Sequence, residues 1–195
     1  MRNLAWLIGC LLIVCHQGAS ADTIERWLSW HSLQGEFLQR HLDASQSLVS
    51  VSSGKFAVKR PSFAKWEVQE PDPQTYVIGP EGAWHLDGWL EVATFYGRSE
   101  FADSSVMTLL NTDLQQLEQR FIISETPQSL RFQARDSAAQ MQTIEILIHA
   151  NGYPQSLAIQ TQLGQSLAVE FKELSSTLLP DSYFEFTVPP GIEIQ

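Results

Sequence analysis

The side chains able to do chemistry in this chain are few, and their spacing assembles no reaction. His31, His41, His85 and His149 stand apart, none at a metal-ligating interval from another histidine or from a pair of carboxylates. The chain has no Gly-x-Ser-x-Gly, no phosphate-cradling glycine loop and no dinucleotide fingerprint. Glu67, Glu70 and Asp72 are close together, but carboxylates flanking a turn are ordinarily solvated, and paired-acid catalysis requires an apposition that nearness in sequence does not supply. The expectation is a protein that is not an enzyme and has no cofactor and no metal.

One cation is out of place. The stretch SGKFAVKRPSFAKWEV, 53–68, reads as two short strands hinged at Pro61. Side chains alternate faces along a strand, so Arg60 shares a face with Phe56 and Val58 while Lys55 and Lys59 point the other way. A guanidinium on an apolar face requires acceptors, since a buried unpaired charge is strongly unfavourable, and the open carbonyls at helix C-termini are suitable ones. The alternative is a flipped or bulged strand end that lets Arg60 reach solvent along its apolar stem.

The elements that would position this residue follow from period. Asp22 and Glu25 cap an amphipathic helix over 22–32, with Ile24, Trp27, Leu28 and His31 on one side. From Leu33 the period is two, through a turn at 43–47 and on to Arg60, then at 63–70, 74–79, 82–87 and 89–96. Helical spacing returns over 103–118 behind the caps Asp103 and Asp113, broken at Asn111-Thr112. Strands resume at 120–124, 129–135, 142–149, 155–162, 166–174 and 183–188, with Asn151-Gly152 and Leu163-Gly164-Gln165 as turns. About eleven strands with short turns predict a mainly antiparallel sheet curled under helices, an unclosed half β-barrel with a helical lid.

Residues 1–21 read as a cleavable export signal: Arg2, an apolar run from Leu4 to Val14, and Ala19-Ser20-Ala21 before Asp22. The run is too short for a membrane anchor. Leu7-Ile8-Gly9-Cys10 resembles a lipobox, but little apolar sequence precedes Cys10 and the run continues beyond it, so cleavage after Ala21 is expected. That leaves one domain, 22–195. Both cysteines, Cys10 and Cys15, fall in the signal, which excludes disulfides, thiolate metal sites and cysteine catalysis from the remainder. The net charge of −10, more negative still without Arg2, argues against nucleic acid and against an anionic membrane surface. A soluble monomer is expected.

Phe37, Phe56, Trp66, Trp84, Leu86, Phe121, Phe132, Phe171 and Phe184 place bulk on alternating strand positions. They either fill an ordinary core or, in a deeply curved sheet, line one that is incompletely filled.

Three landmarks in order, GKFAVKRPSFAKWEV (54–68), GPEGAWHLD (79–87) and FEFTVPPGIEI (184–194), resemble those of the LolA family of periplasmic lipoprotein carriers. The resemblance implies an apolar cavity for acyl chains, here lined by Phe37, Phe56, Val58, Trp66, Trp84 and Leu86. It implies a lid helix carrying Val106, Met107 and Leu110. It also implies that Arg60 latches the lid by bonding its backbone carbonyls. The partners implied are lipoprotein acyl chains or another lipid, such as a polyene or fatty-acyl product, an inner-membrane donor complex and an outer-membrane acceptor. Two departures stand out: the chain ends at Gln195 where the family's tail is longer, and Ala64 stands where an aromatic is usual before Trp66. The rival expectation is an envelope interaction module with a fully packed core.

Overall fold

The computed structural model describes residues 23–101 and 105–195, so the expected export signal and the Asp103 cap lie outside the described residues. A short helix, α1 (Thr23–Ser29), precedes six strands: β1 (Ser32–Leu42), β2 (Leu48–Lys59), β3 (Phe63–Glu70), β4 (Gln74–Ile78), β5 (Gly82–Asp87) and β6 (Val92–Gly97). Three short helices follow, α2 (Arg98–Phe101), α3 (Ser105–Leu110) and α4 (Leu114–Arg120). The chain then returns to strands: β7 (Phe121–Thr126), β8 (Ser129–Ala134), β9 (Met141–Ile148), β10 (Pro154–Thr161), β11 (Ser166–Ser175) and the two-residue β12 (Glu193–Ile194).

The twelve strands form one sheet in the order β12-β6-β5-β4-β3-β2-β1-β11-β10-β9-β8-β7. All pairings are antiparallel except β12 with β6. The β1–β11 pairing joins two hairpin-built halves, and the sheet remains open between β12 and β7.

The concave face carries the main core: Leu33, Phe37, Phe56, Phe132, Ile144, Ile146, Leu157 and Val169 pack with Ile24 and Trp27 of α1 and Leu117 of α4. A second cluster lies on the convex face, where Leu179 and Phe184 cover Ala57 and Val77. That layer corrects the strand expected at 183–188. Residues 181–184 form a 3-10 turn instead, and the sequence beyond runs to Pro189 and Pro190, whose nitrogens have no hydrogen to donate to a ladder. The alternation of Phe184 and Phe186 therefore reports a segment lying across a sheet. The strand expected from Trp89 begins at Val92, because Asp87 captures the intervening backbone in a turn.

Curvature has a local cause at Gly54. It sits buried between Phe37 and Val68, beside a shift of register at Ser53, and a Cβ there would overlap the Glu67 carbonyl. Strands β2 and β3 can approach this closely only without a side chain. Gly54→Ala is expected to destabilise the fold by about 2 kcal/mol, the usual range for forced overpacking. Urea unfolding measures this, and an unchanged midpoint would contradict the assignment.

Candidate functional site

Arg60 follows the last residue of β2, and its side chain turns under the helices with 8% exposure. Nη1 donates to the Trp27 carbonyl at 2.6 Å and Nη2 to the Leu109 carbonyl at 3.2 Å. Trp27 lies in the last turn of α1 and Leu109 in the last turn of α3, where backbone carbonyls have no partner within the helix and carry partial negative charge. The guanidinium also lies 3.6 Å from the Trp30 ring centre and 4.5 Å from that of Trp27. Among the described residues its partners are thus carbonyls and indole faces, with no carboxylate.

Burial pushes the Arg60 guanidinium down to about 9, which leaves it charged at neutral pH. Its Nε remains without a hydrogen-bond partner. Hydrogen bonds to a charged group contribute roughly 1.5–3 kcal/mol each. Withdrawing the ion from water costs several kcal/mol. The two effects are of similar size.

The two helices are fastened differently. Thr23 Oγ1 donates to the Thr126 carbonyl at 2.7 Å, and the Ile24 N–H donates to the Glu125 carboxylate at 2.9 Å. Arg26 donates to the carbonyls of Pro127 and Ala150. Gly152, at φ +83°, brings the β9–β10 turn so close that a Cβ would strike the Arg26 carbonyl. These contacts tie α1 to the β7–β10 half of the sheet. Helix α3 belongs to the opposite half, where Met107 and Leu110 pack on Ala64, Ile78 and Ala83. Arg60 therefore bridges the two halves at the helical cover.

Beneath the cover is a cavity of about 610 Å³, within the range of roughly 300–1,000 Å³ usual for small-molecule sites. Trp27 and Trp30 line it near Arg60, and Phe56, Trp66, Leu157 and Phe171 form its walls. The aromatic rings brace one another: Phe56 is 5.0 Å from Phe171 and 5.8 Å from Trp66. Polar lining is concentrated at the other end of the strands, at Gln39, His41, Ser50, Ser52, Asp72 and Gln74. A more polar groove of about 930 Å³ adjoins there, sharing His41, Ile159 and Leu167 and bounded by Arg120, Arg135 and Gln140. The lining is apolar at the arginine end and polar at the other.

Phe56, Val58 and Trp66 line the cavity, whereas Phe37, also expected there, is outside the lining and stacks on Trp66 at 3.9 Å. Leu110 lines the cavity and Met107 packs beside it, while Val106 belongs to α3 with its side chain outside the described residues. Trp84 and Leu86 require correction. The register pairs Tyr76 with His85 and Ile78 with Ala83, which puts Trp84 and Leu86 on the opposite, convex face. There Trp84 packs on Phe95 at 5.1 Å and Phe186 at 5.3 Å. The C-terminal segment covers that face, so the apolar side of β5 packs outward beneath it while Ala83, His85 and Asp87 take the inner side, and alternation alone pointed the wrong way. Sequence reasoning also missed Trp30, Leu157 and Val169; the Trp27/Trp30 interval was the available signal for the first.

Among the described residues no three His, Cys, Asp or Glu side chains cluster as metal ligands. His85 stacks flat on Tyr76 at 4.3 Å, and burial pushes its imidazole down while Asp87 pulls it up.

The family described as outer membrane lipoprotein carrier protein LolA matches residues 29–187. The chain belongs to this family. Over 199 residues it is 27% identical to the outer-membrane lipoprotein carrier protein of Halorhodospira halophila, spanning 100% of this chain and 95% of that one. It is 28% identical over 185 residues to the corresponding protein of Alkalilimnicola ehrlichii, at 93% and 86% coverage. A crystal structure of an uncharacterized conserved protein from Thermus thermophilus superposes with TM-score 0.58 at 9% identity, over 89% of this chain and 96% of that one. A LolA superfamily protein from Nitrosomonas europaea gives 0.50 at 10% identity, covering 84% and 96%. The unclosed antiparallel sheet with its few helices is the fold of the LolA superfamily.

Arg60→Leu removes both helix bonds together with the cost of burying the ion, so global stability should change by less than about 2 kcal/mol. Local opening should change more. Amide exchange over 105–110 is expected to quicken at least tenfold, and unchanged protection there would show that Arg60 does not hold α3.

Proposed function

We propose that this LolA-family protein is a periplasmic carrier that shields the acyl chains of a lipoprotein and shuttles them from an inner-membrane donor to an outer-membrane acceptor. The observation that carries the reading is the apolar cavity closed by helices that a single buried cation holds together. The names of the relatives support the cargo class. Among the described residues no helix is long and apolar enough to cross a membrane. Residues 1–21 serve as the export signal and are removed, and 22–195 act as one soluble, monomeric, non-catalytic unit.

Magnitudes explain why closure is useful. Burial of an acyl chain gains about 0.8 kcal/mol per methylene, so a sixteen-carbon chain contributes on the order of 12 kcal/mol before costs. Cargo held that firmly would not leave. If entry of the chain displaces α3 from Arg60, the lost contacts offset part of the gain, and the differential between open and closed states sets the affinity. Arg60 is thus the latch, and Phe56, Val58, Trp66 and Leu110 are the surfaces that meet the chain.

Organic extraction of native protein purified from the periplasm, followed by mass spectrometry, tests the cargo. A bound acylated polypeptide is the expected result, whereas a free lipid would redefine the cargo and an empty cavity would count against carriage. In a transfer assay from donor to acceptor membranes, Arg60→Leu should retain cargo and slow its delivery about tenfold. Transfer at the parental rate would remove the latch role.

A further inference from the structure

The β5–β6 turn, 88–91, presents two large apolar side chains to solvent: Trp89 is 77% exposed and Leu90 65%. Their display is built into the backbone. The Asp87 carboxylate accepts from the N–H groups of Trp89 at 2.9 Å and Leu90 at 3.0 Å. Gly88 donates to the Pro73 carbonyl at 2.9 Å, Glu91 adopts φ +55°, and its carbonyl accepts from Glu193 of β12. A tryptophan on a turn fixed in this way loses little freedom on contact, the property that makes exposed aromatics binding anchors.

The surroundings define the occupant. Exposed Glu70, Asp72, Glu91 and Glu193 and half-buried Asp87 surround the turn, and the segments 69–75, 85–95 and 189–195 contain no lysine or arginine. An anionic bilayer would be repelled by this ring and by the net charge of −10. A second copy presenting the same tip would be repelled equally. The turn also stands at the polar end of the cavity, since Gln74 of the lining pairs with Asp87 at the base of the turn.

We propose that Trp89 and Leu90 dock into an apolar pocket of another protein whose rim is basic, bringing the cavity mouth against that partner. The interface goes beyond cargo carriage and holds whichever acyl chain the cavity accepts. Electrostatic attraction between the acidic ring and a basic rim would speed encounter, while the indole supplies the anchoring contact.

The test is photocrosslinking in intact cells with benzoylphenylalanine in place of Trp89 in the full chain. The expected product joins a different protein, with mass spectrometry placing the crosslink in a segment of apolar residues flanked by lysine or arginine. Leu90→Ser, or Glu70→Lys together with Glu91→Lys, should lower its yield at least tenfold while leaving the thermal midpoint of the purified protein unchanged. No crosslink, one confined to lipid or to a second copy, a partner segment without basic residues, or a yield unaffected by charge reversal would each overturn the proposal. So would Trp89-dependent sedimentation of purified protein with phosphatidylethanolamine–phosphatidylglycerol vesicles.

Discussion

A single guanidinium bonded to the C-terminal ends of two helices is the interaction on which the proposed working of this molecule depends. Arg60 reaches the last turn of α1 and the last turn of α3 at once, with indole rings of Trp27 and Trp30 against it. Carbonyls compensate the buried charge only in part, as the proposed latch requires. The unequal distances fit this arrangement, since the shorter bond goes to α1, the helix that Thr23, Ile24 and Arg26 tie to neighbouring turns.

The sheet makes that contact consequential. Close approach of β2 and β3 at Gly54 helps to bend it, and its aromatic wall is braced ring against ring, so the concave face does not collapse onto the space it encloses. The covering C-terminal segment backs the convex side with Leu179 and Phe184. With polar lining confined to one end, an amphiphile would lie with its apolar part toward Arg60 and its polar part at the mouth.

Much of this was legible in the sequence. The parity of KFAVKR placed Arg60 on the face of Phe56 and Val58, and that inference needs only a regular run before it, which β2 keeps from Gly54 to Lys59. Strands 63–70 and 82–87 and the helix break at Asn111-Thr112 likewise followed from local period and turn chemistry. What failed did so where tertiary context overrides period. Trp84 reads as an inward residue only if the outer face of β5 is wet, and here Phe186 of the C-terminal segment covers it. Phe184 and Phe186 alternate like a strand yet lie across one. Trp30 lies inside the helix expected over 22–32 but off its apolar side, and in the structure it follows the end of α1 at Ser29 with its ring 3.6 Å from the Arg60 guanidinium.

The most direct measurement of the account is a distance across the cover. Residues 22–195 contain no cysteine, so spin labels can be placed at Thr112, between α3 and α4, and at Lys55, on the outside of β2. A single short distance in the empty protein that lengthens when a palmitoylated peptide is added would establish a cover that the acyl chain displaces. The same distance with and without the peptide, while the peptide is bound, would contradict it.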